Sequence, residues 1–178
     1  MPASDDPNPI HWSASEIARR VARKEIAARE VVEAFVARIE AVNPRINALV
    51  VPRFDQARAE ADAVDAAISS NPSVTETKPL LGVPITLKEC FFLAGTPSTI
   101  GLNSPAHSRL IEQDGVLPAR LREAGAIVLG KTNLPQLMIW HESDNPVYGR
   151  TNNPWNLERT CGGSSGGEAA IIAARGSP

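Results

Sequence analysis

Lys88 closes the run Gly82-Val83-Pro84-Ile85-Thr86-Leu87-Lys88, an apolar stretch that reads as a buried strand. A lysine at such a position is unusual. Removal from water disfavours the ammonium form, and an amine that is neutral near pH 7 is a competent general base. Two ordinary readings compete with that one: a strand-end lysine whose amine reaches solvent, and an ion pair with Glu89. On the local sequence alone the ordinary readings are the stronger.

The second group is Thr160-Cys161-Gly162-Gly163-Ser164-Ser165-Gly166-Gly167-Glu168, with four glycines and two serines ahead of an apolar helical stretch. The glycines let other groups approach the backbone closely. Amides at a helix N-terminus can bind an anion or an oxyanion. A serine-capped helix after a flexible turn explains the same residues equally well. The run also matches G-x-S-x-G on Ser164 or on Ser165, which raises the nucleophile elbow of an esterase with an α/β-hydrolase fold. That rival needs a hydrophobic strand before the turn, where Asn156-Leu157-Glu158-Arg159-Thr160-Cys161 stands, and a histidine after it, and no histidine follows Ser165. A phosphate-binding loop fails because no Gly-Lys-Ser/Thr closes the run. A third group, Lys131 to Gln136 with Asn145 to Trp155, is too polar for a core and too aromatic for a linker. It can line a pocket near the glycine turn or form a hydrogen-bonded scaffold, and spacing favours the scaffold.

These groups need a frame to hold them. Ser13-Ala14-Ser15-Glu16 fits a capping box and starts a helix after a polar arm over residues 1–12. Val31, Val32, Phe35, Val36, Ile39 and Val42 recur at helical spacing over 28–42, and Asn43-Pro44 ends that helix. A short strand over 48–51, a helix over 54–68 and a polar loop over 69–79 follow. The next elements are the strand leading into Lys88, a helix over 115–124 capped by Asp114, and a strand over 126–129 with a turn at 130–133. A short helix over 134–140, an irregular loop over 141–160 and a final helix through Ala174 complete the pattern. Strands alternating with helices predict an α/β fold with a largely parallel sheet. Met138 and Ile139 can face a pocket or lie in the core, and the core is the expectation.

Composition narrows the function. The chain has 178 residues, 43% of them hydrophobic, the size and apolar content of one packed domain. A net charge of −2, with both signs mixed along the chain, gives no reason to expect nucleic acid or an anionic membrane as partner. Cys90 and Cys161 belong to no metal-binding or redox motif and suit a reducing cytoplasm. No metal site and no cofactor are expected. The N-terminus lacks the basic and apolar regions of a signal peptide, and no run is apolar enough to anchor in a membrane.

Together the motifs resemble the amidase signature family, and within it the fatty acid amide hydrolases. They are Gly-Val-Pro-Ile-Thr-Leu-Lys-Glu at 82–89, Lys-Thr-Asn-Leu-Pro-Gln at 131–136, Tyr-Gly-Arg-Thr-Asn-Asn-Pro-Trp at 148–155 and Gly-Gly-Ser-Ser-Gly-Gly-Glu at 162–168, in family order. The resemblance implies the N-terminal part of that α/β fold, with a mixed, largely parallel sheet flanked by helices. Residues 1–79 would be a mostly helical cap with the first strand, and 80–178 the start of the signature core. It implies hydrolysis of a small-molecule amide with Lys88 as the catalytic lysine and Ser164, after a cis peptide bond, as the serine that relays protons. Gly163 and Ser165 would support them. The nucleophile belongs to a G-x-D-x-G-G-S segment expected beyond Pro178, so residues 1–178 alone are expected to be inactive. Gln136, Trp140, Cys90 and Glu168 favour the hydrolases over the A subunit of a glutamyl-tRNA amidotransferase, which would need ATP and a B subunit. A non-catalytic fragment ranks third. The resemblance leaves a homodimer open, and on it His11, His107 and His141 need no catalytic role.

Overall fold

The computed structural model describes residues 6–178; residues 1–5 of the predicted polar arm lie outside them. The rest of the arm is not loose. Pro9–His11 forms a 3-10 turn, and Trp12 is buried, its indole N–H donating to the Asp6 carbonyl at 2.5 Å and its ring lying 4.0 Å from the Arg20 guanidinium. Helix α1, Ala14–Ala22, starts at Ser13, whose hydroxyl accepts from the Glu16 amide at 3.3 Å. Only half of the capping box forms, because the Glu16 carboxylate pairs with Arg19 and Arg20.

Helix α2, Ala28–Ile46, buries Val31, Val32, Phe35, Val36 and Ile39 on one face. It runs through Pro44, where the sequence predicts an end. Pro44 lies in the last turn, and two asparagines hold the chain beyond it. Asn47 takes the left-handed conformation with its amide on Asn43 O at 2.8 Å. The Asn43 side chain accepts from the Ala48 and Leu49 amides at 2.9 and 2.8 Å and so splices the helix onto strand β1, Leu49–Pro52. Helix α3, Phe54–Ser70, reaches back to the start of α2: Asp65 accepts from the Ala28 and Arg29 amides at 2.8 and 3.1 Å, where a carboxylate suits a helix N-terminus. A single helical turn, α4, Val74–Thr77, interrupts the predicted loop.

Strand β2, Pro84–Lys88, pairs in parallel with β3, Ile127–Thr132, and β3 pairs antiparallel with β1, giving a three-stranded mixed sheet in the order β1-β3-β2. Residues 130–132 of the turn predicted at 130–133 are strand instead. Gly130 is there because β1 crosses closely: a Cβ on it would stand 2.5 Å from the Val51 carbonyl oxygen. Between β2 and β3 lies α5, Val116–Glu123, capped by Gly115 and not by Asp114. Asp114 is committed to the Ala94 amide at 2.8 Å and to Arg122 at 2.7 Å. The expected helix over 134–140 shrinks to a 3-10 turn at Gln136–Met138 with positive φ at Leu137 and Met138. The loop predicted over 141–160 contains a hairpin, β4 Asn152–Asn153 and β5 Asn156–Thr160. Helix α6, Gly166–Ala173, then packs on all three strands of the sheet and on α2. The main core lies between these layers, with Ile17, Phe35, Ile39, Ile127, Leu129 and Ile171 fully buried or nearly so. Among the described residues no helix is long and apolar enough to cross a membrane.

Candidate active site

The strand end at Lys88 and the turn before α6 meet. Lys88 is half-buried, and its Nζ donates to Ser164 Oγ at 2.8 Å across 76 residues of chain. Alternation along β2 sends the next side chain the other way. Glu89 is fully buried and accepts from the Thr99 amide at 2.5 Å and the Ile100 amide at 3.0 Å, so the Lys88–Glu89 ion pair does not form.

Close contacts fix the turn that presents Ser164, in which the Gly163–Ser164 peptide bond is cis. Gly163 lies against the backbone of Trp140, His141 and Glu142, where an added Cβ would meet atoms at 3.0–3.2 Å. Ser143, buried, donates from its hydroxyl to Gly162 O at 3.1 Å and accepts from the Gly166 amide at 3.0 Å. The Glu168 carboxylate accepts from the hydroxyls of Thr86 on β2 at 2.5 Å and Thr132 on β3 at 2.7 Å, which docks α6 on the two strands. Ser165 is exposed at the N-cap of α6, and its side chain makes no capping bond.

The third sequence group is a scaffold. Buried Asn133 donates to Gly149 O at 2.9 Å and Thr151 Oγ1 at 3.0 Å and accepts from Asn145 at 2.8 Å; Thr151 in turn donates to Asn47 O at 2.8 Å. Beside it stands an apolar strip that is not core, against expectation. Met138 is 39% exposed, Ile139 74% and Trp140 64%, because the left-handed backbone at Leu137 and Met138 turns the segment outward. His107 is half-buried and His11 and His141 are exposed, and none of them bonds to the Lys88–Ser164 pair. Among the described residues no cluster of histidine, cysteine and acidic side chains could hold a metal. Both cysteines are free, and burial raises each thiol pKa.

The sequence placed Lys131 at the head of the third group without revealing its burial. Its side chain is fully buried and donates to the Pro97 carbonyl. Desolvation lowers its pKa to about 8, with Glu89 and Cys90 opposing the shift. In the unfolded chain the same amine titrates near 10.5. Between those values the unfolded chain holds a proton that the folded chain has released, so raising the pH stabilises the fold; below about 8 both states hold it and the dependence vanishes. Tyr148, pushed up to about 12 by burial, and the two thiols act in the opposite sense above their ordinary values. The difference between wild type and Lys131→Met therefore isolates the lysine. Urea denaturation from pH 8 to 9.5 is expected to show wild type gaining roughly 1 kcal/mol per pH unit relative to the variant. Parallel curves would show that Lys131 keeps its proton.

The amidase family model matches residues 30–178. The chain belongs to the amidase family. Fatty-acid amide hydrolase 2-A of Danio rerio is 48% identical over 166 residues, 91% of this amidase chain and 31% of the relative. The A subunit of the glutamyl-tRNA(Gln) amidotransferase of Nitratidesulfovibrio vulgaris is 42% identical over 167 residues, 91% and 32%. A solved fatty acid amide hydrolase superposes with a TM-score of 0.86 at 29% identity, covering 97% of this chain and 30% of that one. The amidase chain thus spans about a third of the length of the curated relatives it matches. Membership in this family replaces the esterase-elbow reading of G-x-S-x-G. A strand, β5, does precede the glycine turn, but it is exposed and pairs with β4 outside the central sheet.

Proposed function

We propose that the protein hydrolyses the C–N bond of a hydrophobic, fatty-acid-type amide, with Lys88 and Ser164 as its proton relay. The observation that carries this reading is the 2.8 Å contact between Lys88 Nζ and Ser164 Oγ. In the proposed mechanism neutral Lys88 takes the Ser164 proton while the Ser164 oxygen takes one from a nucleophilic serine, in a G-x-D-x-G-G-S segment outside residues 1–178. The nucleophile bonds to the amide carbonyl carbon. As the C–N bond breaks, the proton on Lys88 returns through Ser164 to the leaving amine. Water then cleaves the acyl-enzyme by the same relay. No histidine or carboxylate is needed, which makes this a serine–lysine variant of triad chemistry. The exposed strip Leu137 to Trp140, backed onto Gly163, supports an apolar substrate.

The chain continued through such a segment is expected to hydrolyse a long-chain fatty amide, and residues 1–178 alone are expected not to. Turnover by residues 1–178, or no turnover of any amide by the continued chain, would overturn the proposal. The 42% identical amidotransferase relative motivates a second reading, an A subunit that works on a partner. Co-purification of a B subunit, with amide hydrolysis dependent on it, would favour that reading. The two free thiols support a cytoplasmic setting, and a homodimer, measurable by sedimentation, completes the proposal.

A further inference from the structure

Glu89 takes no part in the relay, yet it is fully buried and its carboxylate is committed on both oxygens. Oε1 accepts from the Thr99 amide at 2.5 Å and from the Tyr148 hydroxyl at 3.2 Å, and Oε2 from the Ile100 amide at 3.0 Å. Two successive amides aimed at one anion form a backbone nest, a device that holds negative charge. The nest requires Ile100 at a φ of 48°, a region that β-branched residues rarely enter. Lys131 braces the same loop from behind through the Pro97 carbonyl, and its charge faces that of Glu89 in the buried space.

The loop then reaches the site by a second route. Ile100 O accepts from the Leu137 amide at 2.8 Å, where the apolar strip begins. The strip ends at Trp140, whose carbonyl oxygen would stand 3.0 Å from a Cβ on Gly163, the residue before Ser164. One path from residue 88 to 164 is the direct hydrogen bond. The other runs from Glu89 through Ile100, Leu137 and Trp140. We infer that Glu89 is a positioning residue: its buried carboxylate holds the Thr99–Ile100 turn and, through it, sets the Leu137–Trp140 strip against the turn that carries Ser164. Its effect on catalysis rests on the amide-hydrolase reading; its effect on the strip does not.

The test reads the strip directly. The chain has three tryptophans, so labelling with 5-fluorotryptophan gives three fluorine resonances, with that of Trp140 assigned by Trp140→Phe. Glu89→Gln is expected to shift or broaden the Trp140 signal while those of Trp12 and Trp155 stay in place. An unchanged Trp140 signal, or all three moving together, would overturn the inference. Glu89→Gln leaves Lys131 without its counter-charge, so two further variants guard against misfolding. The double variant Glu89→Gln/Lys131→Met removes both charges and is expected to move Trp140 alike. Tyr148→Phe removes one donor to the same carboxylate and is expected to move it in the same direction by less. In the continued chain, Glu89→Gln is expected to raise KM for a long-chain amide about tenfold, the scale of one lost charge-assisted hydrogen bond, with kcat on a short amide changed less. If wild type turns over nothing, the function proposal fails while the fluorine result still decides the role of Glu89.

Discussion

Lys88→Met in the continued chain is expected to lower kcat/KM for amide hydrolysis by about three orders of magnitude, within the range that a positioned acid–base group contributes. Ser164→Ala is expected to cost a similar factor, and the double variant no more than the worse single one. In the proposed mechanism the two groups, joined by a 2.8 Å hydrogen bond, form one proton path, so either loss breaks it completely. Losses that multiply would mean separate roles, and a single loss under tenfold would remove Lys88 from the mechanism. Stability should separate this from a folding defect. Lys88 is only half-buried at the end of β2, and methionine keeps most of its unbranched stem, so unfolding should change by about 1 kcal/mol or less, the net value of one hydrogen bond.

The elements that hold this pair were legible where hydrophobic period decided them and illegible where close approach did. The face of α2 could be read directly, since Val31, Phe35 and Ile39 point at the core at helical spacing. The end of α2 could not: Pro44 looks like a stop, but the side chain of Asn43 supplies the bonds that carry the chain on to β1. Gly130 has the same look and the opposite role, because nothing local tells a turn glycine from one lying under a neighbouring carbonyl. The strands of the hairpin β4–β5, Asn-Asn and Asn-Leu-Glu-Arg-Thr, have neither alternation nor an apolar face to announce them. In the site, the types and order of Lys88, Gly163, Ser164 and Ser165 marked them out together, but not singly. Glu89 was visible only as a charge next to Lys88. Its commitment to amides ten and eleven residues on is a tertiary fact.

Gly167→Ala should show how tightly α6 must seat for that pair to meet. Helix propensity predicts the wrong sign here, since alanine for glycine inside a helix ordinarily gains about 1 kcal/mol. At Gly167 the new Cβ would stand 2.4 Å from Asn133 N, 2.6 Å from Asn133 O and 2.9 Å from Ala48 O, all backbone and all buried. Neither partner can rotate aside, so the helix itself must lift. Lifting it strains the bonds from Thr86 and Thr132 to Glu168, one residue on, and draws Ser164 from Lys88. Overpacking of this kind outweighs the propensity gain, and a net loss of about 3 kcal/mol is expected by urea denaturation. Gly166→Ala should cost less, because its Cβ meets side chains and not backbone: the Cys161 thiol can turn, and the Ser143 hydroxyl can move at the expense of its bonds to Gly162 O and the Gly166 amide. Gly162→Ala meets nothing within 4 Å and should lose only the roughly 1–2 kcal/mol of a left-handed alanine at a φ of 83°. Stabilities should therefore fall in the order Gly162→Ala, Gly166→Ala, Gly167→Ala. A Gly167→Ala chain as stable as wild type would mean that α6 can shift on the sheet without resistance, and the sheet could not then be what holds Ser164 on Lys88.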